Sequence, residues 1–475
     1  MMLLSQAVQA TAGKLVSSGG AQDQGADVRF NTVSTDTRKI ATGDLFVALR
    51  GEHFDGYDFV AMAAQAGAVA ALVNKDSYEN SAAASGQKSG HKANLDPRFS
   101  LLVVDDTRQA LGQLAAYWRK RFTIPLVAIT GSNGKTTVKE MLANILREAA
   151  GSMDAVLATQ GNFNNNIGMP LTLLQLNAAH HYAVIEMGMN HSGEIDYLSQ
   201  IAAPDVALIN NASCAHLAGL GSVEAVARAK GEIFSGLRHH GTAVINADDA
   251  HAPLWRALAG AHPLLEFGLD PQADVYGTWQ PHDYGLRLEV RTPQGNFTAV
   301  LQVPGAHNAR NALAATAAAS ALNIPLEKIV AGLEKFSGVG GRLQRRAAQH
   351  GATLIDDTYN ANPASMRAAI SVLAQASGKH ILVLGDMGEL GDDAAAFHAE
   401  IGSEARRAGI EKLYALGALS GNAVREFGSG ARHFERIEEL LSVLEKELDA
   451  KTTVLVKGSR FMKMERVVQF CCAGY

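Results

Sequence analysis

Residues 126–140, LVAITGSNGKTTVKE, constrain the fold of this chain most. Five apolar residues suited to a buried strand precede a glycine turn, and Lys-Thr-Thr then opens a polar helix. Backbone N–H groups of such a turn, together with the positive end of the helix, can converge on phosphate oxygens. The common phosphate loop, G-x-x-x-x-G-K-[ST], would need glycine where this chain has Ile129. The segment therefore predicts a shortened phosphate-binding loop between a strand and a helix.

The same alternation of an apolar strand with a helical pattern recurs along the chain. Between positions 108 and 333 it includes the strand-like runs YAVIEMG, VALIN and TAVINAD. Strands that alternate with helices predict a parallel sheet covered on both faces, with ligands beyond the carboxyl ends of the strands. After the glycine-rich stretch FSGVGGRLQRR, further strand-like runs predict a second, smaller α/β domain.

We therefore predict an α/β chain of three domains, with boundaries at 1–107, 108–333 and 334–475. The first is a small α/β domain, the second carries the phosphate loop on a parallel sheet, and the third is a Rossmann-like α/β domain. Residues 76–98 are rich in Ser, Ala, Gly and Lys, which predicts a mobile surface insertion within the first domain.

Composition argues against several classes of protein. A net charge of −5 and a pI near 6.3 do not provide the basic surface on which nucleic-acid binding depends. Three cysteines without a Cys-x-x-Cys pair indicate a reducing compartment. No run approaches the roughly 20 apolar residues of a membrane span, and the N-terminus lacks the basic region of a signal peptide. We expect a cytoplasmic protein with no nucleic-acid partner and no membrane insertion.

The phosphate loop carries the first candidate functional residues. The backbone of Ser132 to Thr136 would surround phosphate oxygens, and Lys135 would neutralise the charge of the β- and γ-phosphates. The Thr136 hydroxyl would then be a ligand of Mg²⁺. The alternative is a glycine turn that only joins a strand to a helix.

Three further side chains follow or lie near strand ends. Glu186 ends the run YAVIE, so its carboxylate would point into the same crevice as the loop and could bind Mg²⁺. His216 follows another strand, although a lone histidine is more often structural. Lys230 lies on a predicted helix, and a lysine beside a metal would repel it unless it were paired or chemically converted to an anion. The alternative for Lys230 is a solvated helix lysine.

Several asparagines and polar loops complete the candidate set. The segment GNFNNNIG, with Asn162, Asn165 and Asn166, could fix a loop through backbone hydrogen bonds or bind a polar substrate. Asn308 and Asn311 share one face of an alanine-rich helix, where each needs a partner such as a purine edge. The third predicted domain adds further polar residues, namely Arg342, Asp356, Asp357, Tyr359, Asn360 and Asn362.

Taken together, these segments resemble the Mur ligase family of ATP-dependent amino-acid and peptide ligases. The segments TGSNGKTT, GNFNNNIGMPLTLL, VIEMGMNHSGEI, VPGAHNARNALAA, GRLQ and LIDDTYNANP occur in the order of that family. The N-terminal STDTRKIATGDLFVALRGEHFDGYDF looks like the UDP-sugar-binding module of its later-acting members. The segments YNANP, LGDMGELG and VKGSRFMKMERVV are most similar to members that join D-alanyl-D-alanine to a UDP-N-acetylmuramoyl tripeptide.

The resemblance implies an activity with ATP and Mg²⁺. ATP would phosphorylate the terminal carboxylate of the UDP-muramoyl tripeptide, and the amine of D-alanyl-D-alanine would attack the acyl phosphate, in cytoplasmic peptidoglycan precursor synthesis. The central domain would be the ATPase, the first domain would bind the UDP-substrate, and the chain is expected to act as a monomer. Arg342 and Asp357 come from beyond the glycine-rich stretch, so the C-terminal domain would close over ATP.

The resemblance also implies roles for individual residues. Catalytic roles fall on Lys135, Lys230 and His216. Magnesium ligands would be Thr136, Glu186 and His216, with Lys230 as a further ligand if it is carbamylated. ATP contacts would be Gly131, Ser132, Asn133, Gly134, Lys135, Thr136, Thr137, His307, Asn308, Asn311, Arg342 and Asp357. Substrate contacts would be Ser34, Thr35, Asp36, Thr37, Arg38, Asn162, Asn165, Asn166, Tyr359, Asn360 and Asn362.

Three alternatives remain open at this level. The family member that adds a diamino acid carries an Asp-Asn-Pro-Arg segment, where this chain reads YNANP. A folylpoly-γ-glutamate synthetase shares the loop but would lack a separate UDP-binding domain. A nucleotide-switched binding protein of a different class would hydrolyse ATP slowly and without an acceptor. Whether the third peptide residue is diaminopimelate or lysine is also open.

Overall fold

A computed structural model describes residues 1–17, 25–83, 95–96, 99–214 and 217–473 of the chain. Its main sheets have five, nine and six strands, and a two-stranded sheet lies near the N-terminus. Parallel pairing dominates all three main sheets, and helices connect their strands. The predicted α/β fold class is therefore confirmed.

The first part of the chain forms the five-stranded sheet. Its order is β2–β7–β6–β5–β4, in which only β2 pairs antiparallel. The elements up to position 104 are β1 Met2–Leu3, α1 Leu4–Thr11, β2 Lys14–Ser17, β3 Arg29–Phe30, β4 Val33–Ser34, β5 Leu45–Val47, α2 Val60–Gln65, β6 Ala70–Asn74, α3 Lys75–Ala83 and β7 Ser100–Val104.

Helix α3 corrects part of the predicted surface insertion. The sequence KDSYENSAA contains no Gly or Pro, and its alanines favour a helix, so residues 75–83 continue directly from β6 as a helix. The Ser77 hydroxyl donates to the Asp55 carboxylate and ties this helix to an earlier loop. Most of the remaining predicted insertion, 84–94 and 97–98, lies outside the described residues.

The central part of the chain forms the nine-stranded sheet. Its elements are α4 Thr107–Arg119, β8 Leu126–Thr130, α5 Lys135–Ala150, β9 Val156–Ala158, α6 Gly168–Leu173, β10 Tyr182–Glu186, α7 Glu194–Ala202, β11 Val206–Ile209, α8 Leu217–Leu220, α9 Val223–Gly231, β12 Thr242–Asn246, α10 Ala252–Ala259, β13 Leu264–Gly268, β14 Val275–His282, β15 Gly285–Thr292, β16 Gly295–Leu301, α11 Ala306–Ala321 and α12 Leu326–Glu334.

The order of this sheet places the phosphate loop at its centre. The strands run β16–β15–β14–β13–β12–β11–β8–β10–β9, and β8 pairs in parallel with β10 and β11. At the other edge, β14, β15 and β16 form an antiparallel extension that the sequence analysis did not predict. In β15 buried and exposed residues alternate, because one face of this extension packs on α11 and the other faces water.

The last part of the chain forms the six-stranded sheet, in the order β17–β18–β22–β19–β20–β21. Only β17 pairs antiparallel. The elements are β17 Gln344–Ala347, β18 Thr353–Asp357, α13 Pro363–Ala374, β19 Lys379–Gly385, α14 Ala394–Arg407, β20 Lys412–Leu416, α15 Gly421–Phe427, β21 Ala431–Phe434, α16 Ile437–Glu445, β22 Thr452–Lys457 and α17 Glu465–Cys472.

Hydrophobic cores lie on both faces of the central and C-terminal sheets. One core continues from Met2 and Phe30, through α4, to Trp255 beneath the central sheet. Burial of this apolar surface fixes the first sheet against the central one. Each main sheet falls within one of the three predicted segments, and the boundaries at 107 and 333 themselves stay predictions.

Candidate active site

A cavity of about 1010 Å³ lies between the carboxyl ends of the central strands and the C-terminal sheet. Ligands of parallel α/β sheets bind at this end of the strands, so the location matches the general rule. The cavity gathers most of the predicted site residues, namely Ser132, Asn133, Gly134, Lys135, Thr137, Asn162, Asn165, Asn166, Glu186, His307, Asn308, Asn311, Arg342, Asp357, Tyr359, Asn360 and Asn362.

The phosphate loop is held by the neighbouring strand end. The backbone N–H of Ser132 donates to the Asn211 carbonyl at 2.9 Å, and the N–H of Asn133 donates to the Asn211 side chain at 2.9 Å. Gly134 has φ of +78°, and a Cβ there would lie 2.4 Å from Oδ1 of Asn311. Glycine is therefore required both by the backbone conformation and by the space.

Helix α5 begins at Lys135, the first residue of the Lys-Thr-Thr sequence that was predicted to open it. Its first N–H groups have no partner within the helix, so they remain able to bind an anion. The Lys135 ammonium donates to the Gly131 carbonyl at 2.6 Å within its own loop. Partial withdrawal from water lowers the pKa of Lys135, an effect that the Glu186 carboxylate opposes.

Glu186 and Thr136 form the centre of the hydrogen-bond network. Strand β10 pairs in parallel with β8, which brings Glu186, only 2% exposed, beside the loop. The Thr136 hydroxyl donates to Glu186 Oε2 at 2.8 Å, and the Asn164 amide donates to Glu186 Oε1 at 2.8 Å. The carboxylate is thus fixed by neutral donors.

The C-terminal part of the chain completes this network. Arg342 Nη2 donates to the Thr136 hydroxyl at 3.0 Å, and its guanidinium lies over the Tyr359 ring, 4.3 Å from the centroid. Asn362 also donates to the Asn133 side chain at 2.8 Å. Residues on both sides of the glycine-rich stretch therefore meet directly at the phosphate loop.

Lys230, on helix α9, is 2% exposed, so the alternative of a solvated helix lysine is wrong. Burial and the nearby Lys135 lower its pKa well below the usual value for lysine. Within the part of the chain that the structure describes, its ammonium has no ion-pair partner. A buried, electron-rich amine is the chemical state that these surroundings favour. His216 lies outside the described residues.

The buried asparagines of α11 find their partners within the protein. Asn308 donates to the Pro304 carbonyl at 2.8 Å, and Asn311 donates to Asn308 at 3.2 Å. Asn210, at the end of β11, donates to Asn311 at 2.9 Å. Each amide therefore has the partner that its burial requires, and both asparagines also line the cavity, where their contact with ATP stays a prediction.

The C-terminal wall contains a buried ion pair. Lys457 Nζ lies 2.6 Å from Asp357 Oδ2, and the Leu343 N–H donates to the other Asp357 oxygen at 3.1 Å. Desolvation nevertheless raises the pKa of Asp357. On the facing helix, burial, with Lys457 and Arg310, lowers the pKa of His307 to about 4. His307 is therefore a neutral group at neutral pH.

Comparison with known proteins identifies the family. Residues 129–319 match the Mur ligase middle domain, 341–460 match the Mur ligase glutamate ligase domain, and 29–119 match the Mur ligase family catalytic domain. The UDP-N-acetylmuramoyl-tripeptide–D-alanyl-D-alanine ligase of Escherichia coli (strain K12) is 41% identical over 94% of both chains. This chain belongs to the Mur ligase family.

Solved structures of Mur ligases share the fold over nearly the whole chain. A crystal structure of MurF from Acinetobacter baumannii has a TM-score of 0.86, with 37% identity, and covers 98% of this chain and 97% of its own. MurF ligase from Thermotoga maritima in complex with ADP has a TM-score of 0.78, with 26% identity, and covers 93% of this chain and 97% of its own. As a Mur ligase, the chain is an ATP-dependent enzyme that forms an amide bond.

Several predicted residues do not line the cavity of this Mur ligase. Gly131, Thr136 and Lys230 are absent from its lining, although the Thr136 hydroxyl is hydrogen-bonded to Glu186 and Arg342, which both line it. The N-terminal set Ser34, Thr35, Asp36, Thr37 and Arg38 is also absent from the lining. Asp36 there caps a short helix and pairs with Arg38, which lowers the pKa of Asp36 to about 2.

Sequence analysis missed several lining residues. Asn164 binds Glu186, and Asn210 and Asn211 bind the phosphate loop. Arg310 and Lys457 line the cavity as cations paired with Asp248 and Asp357. Asn210 and Asn211 directly follow β11, as Glu186 ends β10. The rule that ligands bind beyond strand ends would have found both.

The donors at Thr136 and Glu186 suit a hard divalent cation. A hydroxyl and a carboxylate oxygen are the ligands that Mg²⁺ prefers, and it usually takes only one or two from the protein beside phosphate. Among the described residues, no three His, Cys, Asp or Glu side chains cluster as a complete metal-ligand set. The protein donors therefore fit a cation that shares its coordination with a nucleotide.

No helix in the described part of the chain has the length and apolar character needed to cross a membrane.

Proposed function

We propose that this Mur ligase joins D-alanyl-D-alanine to the terminal carboxylate of a UDP-N-acetylmuramoyl tripeptide, using ATP. Relatives carrying that activity in their names match more than nine tenths of the chain, including those of E. coli and Haemophilus influenzae. The reaction belongs to cytoplasmic peptidoglycan precursor synthesis. The residues that carry the proposal belong to one chain, so a monomer would be sufficient.

The convergence of Lys135 and Arg342 at the phosphate loop is the observation that carries the proposal. Arg342 is bonded to Thr136, the residue after Lys135, although it comes from the C-terminal part of the chain. A tripeptide carboxylate and a γ-phosphate are both anionic, and they can approach only where positive groups offset their repulsion. Arg310 and Lys457 also line the cavity, but each is already paired with a carboxylate, Asp248 and Asp357 respectively.

The proposed chemistry has two steps. A carboxylate oxygen of the tripeptide attacks the γ-phosphorus, the bond from that phosphorus to the bridging oxygen breaks, and ADP leaves with the electron pair. The acceptor amine then attacks the acyl carbon, and a C–N bond forms as the C–O bond to phosphate breaks. The amine loses a proton, and inorganic phosphate leaves. Lys135 and the N–H groups of the loop would stabilise the charge that develops on the transferred phosphoryl group.

Mg²⁺ is the proposed cofactor, held by Thr136, Glu186 and His216. A bound Mg²⁺ would supply further positive charge beside the phosphates. In the structure the Thr136 hydroxyl and the Glu186 carboxylate are already in contact at 2.8 Å, so two of the three proposed ligands face one point.

We also propose that Lys230 is carbamylated. The neutral amine would attack CO₂, forming an N–C bond and releasing a proton, and the product would carry a carboxylate. Burial and the neighbouring Lys135 both favour the neutral amine that this reaction needs. The resulting negative charge would then compensate Lys135 or the metal, as the buried ammonium cannot.

The three predicted domains would divide the substrates among them. Residues 1–107 would bind the UDP end, with Ser34, Thr35, Asp36, Thr37 and Arg38 as contacts. The Arg38 side chain is 86% exposed, so it is available to a ligand that extends beyond the cavity. Asn162, Asn165 and Asn166 would bind the muropeptide, while Tyr359, Asn360 and Asn362 would approach the acceptor. Residues 108–333 and 334–475 would enclose ATP between them.

Release of inorganic phosphate tests the proposal directly. With ATP, Mg²⁺, UDP-N-acetylmuramoyl tripeptide and D-alanyl-D-alanine all present, phosphate should appear in proportion to the new amide product. Omission of either peptide substrate should stop it. If phosphate is released at the same rate when either peptide substrate is omitted, the ligase activity is contradicted and a nucleotide-switched binding protein is supported.

A second reaction distinguishes the proposed activity from the diamino-acid ligase. When UDP-N-acetylmuramoyl dipeptide is supplied with diaminopimelate or lysine, these substrates should not stimulate the release of phosphate. UDP-N-acetylmuramoyl tripeptides with diaminopimelate or with lysine as the third residue should both be tested. The tripeptide with the higher kcat/KM is then assigned as the natural substrate.

A further inference from the structure

The antiparallel extension of the central sheet contains a hairpin that touches the C-terminal part of the chain. Two residues, Asp283 and Tyr284, join β14 to β15. The Tyr284 hydroxyl donates to the Leu343 carbonyl at 3.0 Å, and the Tyr284 ring packs against a hydrophobic core of the C-terminal sheet. The hairpin therefore makes a direct contact with the segment between the central and C-terminal sheets.

Leu343 is held from both of these sheets. Its φ of +52° lies in the left-handed region that non-glycine residues rarely adopt, so its backbone needs support from its surroundings. The Leu343 N–H donates to Asp357 at 3.1 Å, while Tyr284 binds the Leu343 carbonyl. One backbone group is thus held from the C-terminal sheet and the other from the central sheet. Loss of either bond would allow this residue to relax toward ordinary φ values.

Arg342, whose side chain reaches the phosphate loop, directly precedes Leu343. Its Nη2 donates to the Thr136 hydroxyl, and its guanidinium lies over the Tyr359 ring. Its Nε is buried and has no hydrogen-bond partner within the part of the chain that the structure describes, so it is available to an anionic ligand in the cavity. A change in φ at Leu343 rotates the peptide unit that it shares with Arg342 and would move the guanidinium as well.

The surroundings of Tyr284 suit a lasting contact. Burial raises the pKa of Tyr284, an effect that the nearby Arg345 opposes, so the hydroxyl keeps the proton that it donates. The Arg345 guanidinium, on β17, lies 5.3 Å from the centroid of the Tyr284 ring. The C-terminal part of the chain therefore contacts both the ring and the hydroxyl of this one residue.

We propose that Tyr284 is a positioning residue for Arg342 in the ligase reaction. Through the Leu343 carbonyl, the hairpin of the central sheet holds the Arg342 guanidinium at the phosphate loop, where it offsets charge on the transferred phosphoryl group. This inference rests on the proposed function, because only phosphoryl transfer at that loop makes the rate depend on the position of Arg342. It also gives the antiparallel extension a role in catalysis.

Removal of a single hydroxyl is the first test. Tyr284→Phe keeps the ring on the C-terminal core but loses the bond to Leu343, so kcat should fall by about 5- to 30-fold as Arg342 shifts. KM for UDP-N-acetylmuramoyl tripeptide and KM for D-alanyl-D-alanine should stay unchanged. An unchanged kcat would overturn the proposal.

Tyr276→Phe is the matched control for this variant. Tyr276 lies on β14 of the same extension, and the guanidinium of Arg291 also lies 5.3 Å from its ring centroid. Arg291 belongs to β15, so this pair stays within the extension and does not link it to the C-terminal part of the chain. Tyr276→Phe should keep the kcat of the unmodified enzyme. An equal loss of kcat in the two variants would contradict the role of the Tyr284 hydroxyl.

A double-mutant cycle tests whether Tyr284 acts through Arg342. Arg342→Ala alone should lower kcat by about 10²-fold or more. Addition of Tyr284→Phe to that variant should cause no further loss, because the group that Tyr284 positions is gone. If Tyr284→Phe lowers kcat by the same factor with and without Arg342, Tyr284 does not act through Arg342 and the inference is wrong.

Hydrogen exchange tests the same contact without any substrate. Backbone amides of residues 339–347 should exchange faster in Tyr284→Phe than in the unmodified protein or in Tyr276→Phe. Unchanged exchange would show that the Tyr284 hydroxyl does not hold this segment, whatever reaction the enzyme catalyses.

Failure of this inference can be told apart from failure of the proposed function. If the unmodified enzyme releases no phosphate in response to both peptide substrates, the proposed function is wrong. If it does release phosphate, and both kcat and hydrogen exchange are the same in Tyr284→Phe as in the unmodified enzyme, then only the role of Tyr284 is wrong.

Discussion

The lysines near the phosphate loop and the buried lysine of the C-terminal cavity wall differ in how their charge is compensated. In the central part, Lys135 lies close enough to lower the pKa of Lys230, and neither of these two lysines forms an ion pair within the described residues. In the C-terminal part, Lys457 pairs with Asp357 at 2.6 Å and also donates to the Asn360 carbonyl. At the phosphate loop, Lys135 therefore has no ion-pair partner among the described residues, whereas the charge of Lys457 is compensated by Asp357.

This difference indicates what each half is built to do. Uncompensated positive charge in a partly dry cavity costs folding free energy, so it persists where an anion is to be bound. The Lys457–Asp357 ion pair needs no ligand to balance its charges, so it can stabilise the C-terminal cavity wall before substrates bind. Under the proposed function, the loop around Lys135 would supply the attraction for phosphate, and the C-terminal part would supply a wall held by its own ion pair.

The comparison predicts its largest effect at Lys135. Lys135→Ala should lower kcat by more than about 10³-fold, because it removes the charge that faces the phosphoryl group. Binding of the UDP-substrate, measured by calorimetry, should be nearly unchanged. Lys335→Ala is the control, since that exposed lysine pairs only with Glu148 on the surface. Loss of UDP-substrate binding in Lys135→Ala would contradict the assigned division of substrates.

Lys230 should give the next largest effect. Lys230→Ala should lose about 10²-fold or more in kcat, and acetate or propionate should restore part of the activity by replacing the carbamate. The same acids should not restore Lys135→Ala, where a cation is missing. If carboxylic acids restore neither variant, or restore both equally, the carbamylation of Lys230 is unsupported.

Lys457 should affect stability more than the central lysines do. Lys457→Met leaves the buried Asp357 carboxylate without its partner, so the free energy of unfolding should fall by about 3–5 kcal/mol in urea titration. Arg367→Met, which breaks ion pairs to Glu400 and Glu404 on the surface, should cost less than about 1 kcal/mol. Equal costs for the two variants would mean that the C-terminal wall is not preformed by the buried pair.

The smallest expected effect is the pH dependence of stability at His307. The unfolded chain binds a proton on this imidazole below about pH 6.5, but the folded protein does so only near pH 4, so unfolding takes up a proton between these values. Stability should therefore fall as the pH is lowered from 6.5 to 4, by up to about 3 kcal/mol. His307→Gln should reduce that loss, whereas His350→Gln, at an exposed position, should not. Urea titrations of the unmodified protein and of both variants at pH 7 and pH 5 measure this loss in the free energy of unfolding.

Local patterns were enough to predict the phosphate loop and its neighbour Glu186. Strand, glycine turn and helix are adjacent in the chain, and the carboxyl ends of parallel strands meet at one edge whatever their order. The three-segment α/β architecture followed from the same alternation. Resemblance then supplied the family, which the comparisons confirm.

Contacts between distant residues could not be predicted in this way. Asn210 bonds to Asn311 across 101 positions, and Asn164 was passed over within a run of asparagines although it holds Glu186. The antiparallel extension β14–β16 also went unpredicted, because its strands interrupt the alternation of strand and helix. The burial of Lys230 depends on how helix α9 packs against the rest of the protein. The sequence of the helix alone does not show whether Lys230 faces the core or the solvent.

The Asn133–Asn362 contact has a consequence for how the enzyme releases its products. It is a pair of side-chain amides, each positioned to donate to the other, at 2.8 Å and 3.5 Å. Neutral amides are insensitive to ionic strength, so this part of the interface should hold equally well in dilute and concentrated salt. Since such a bond contributes only about 1 kcal/mol, breaking it if the two parts of the chain separate to release ADP would cost little free energy.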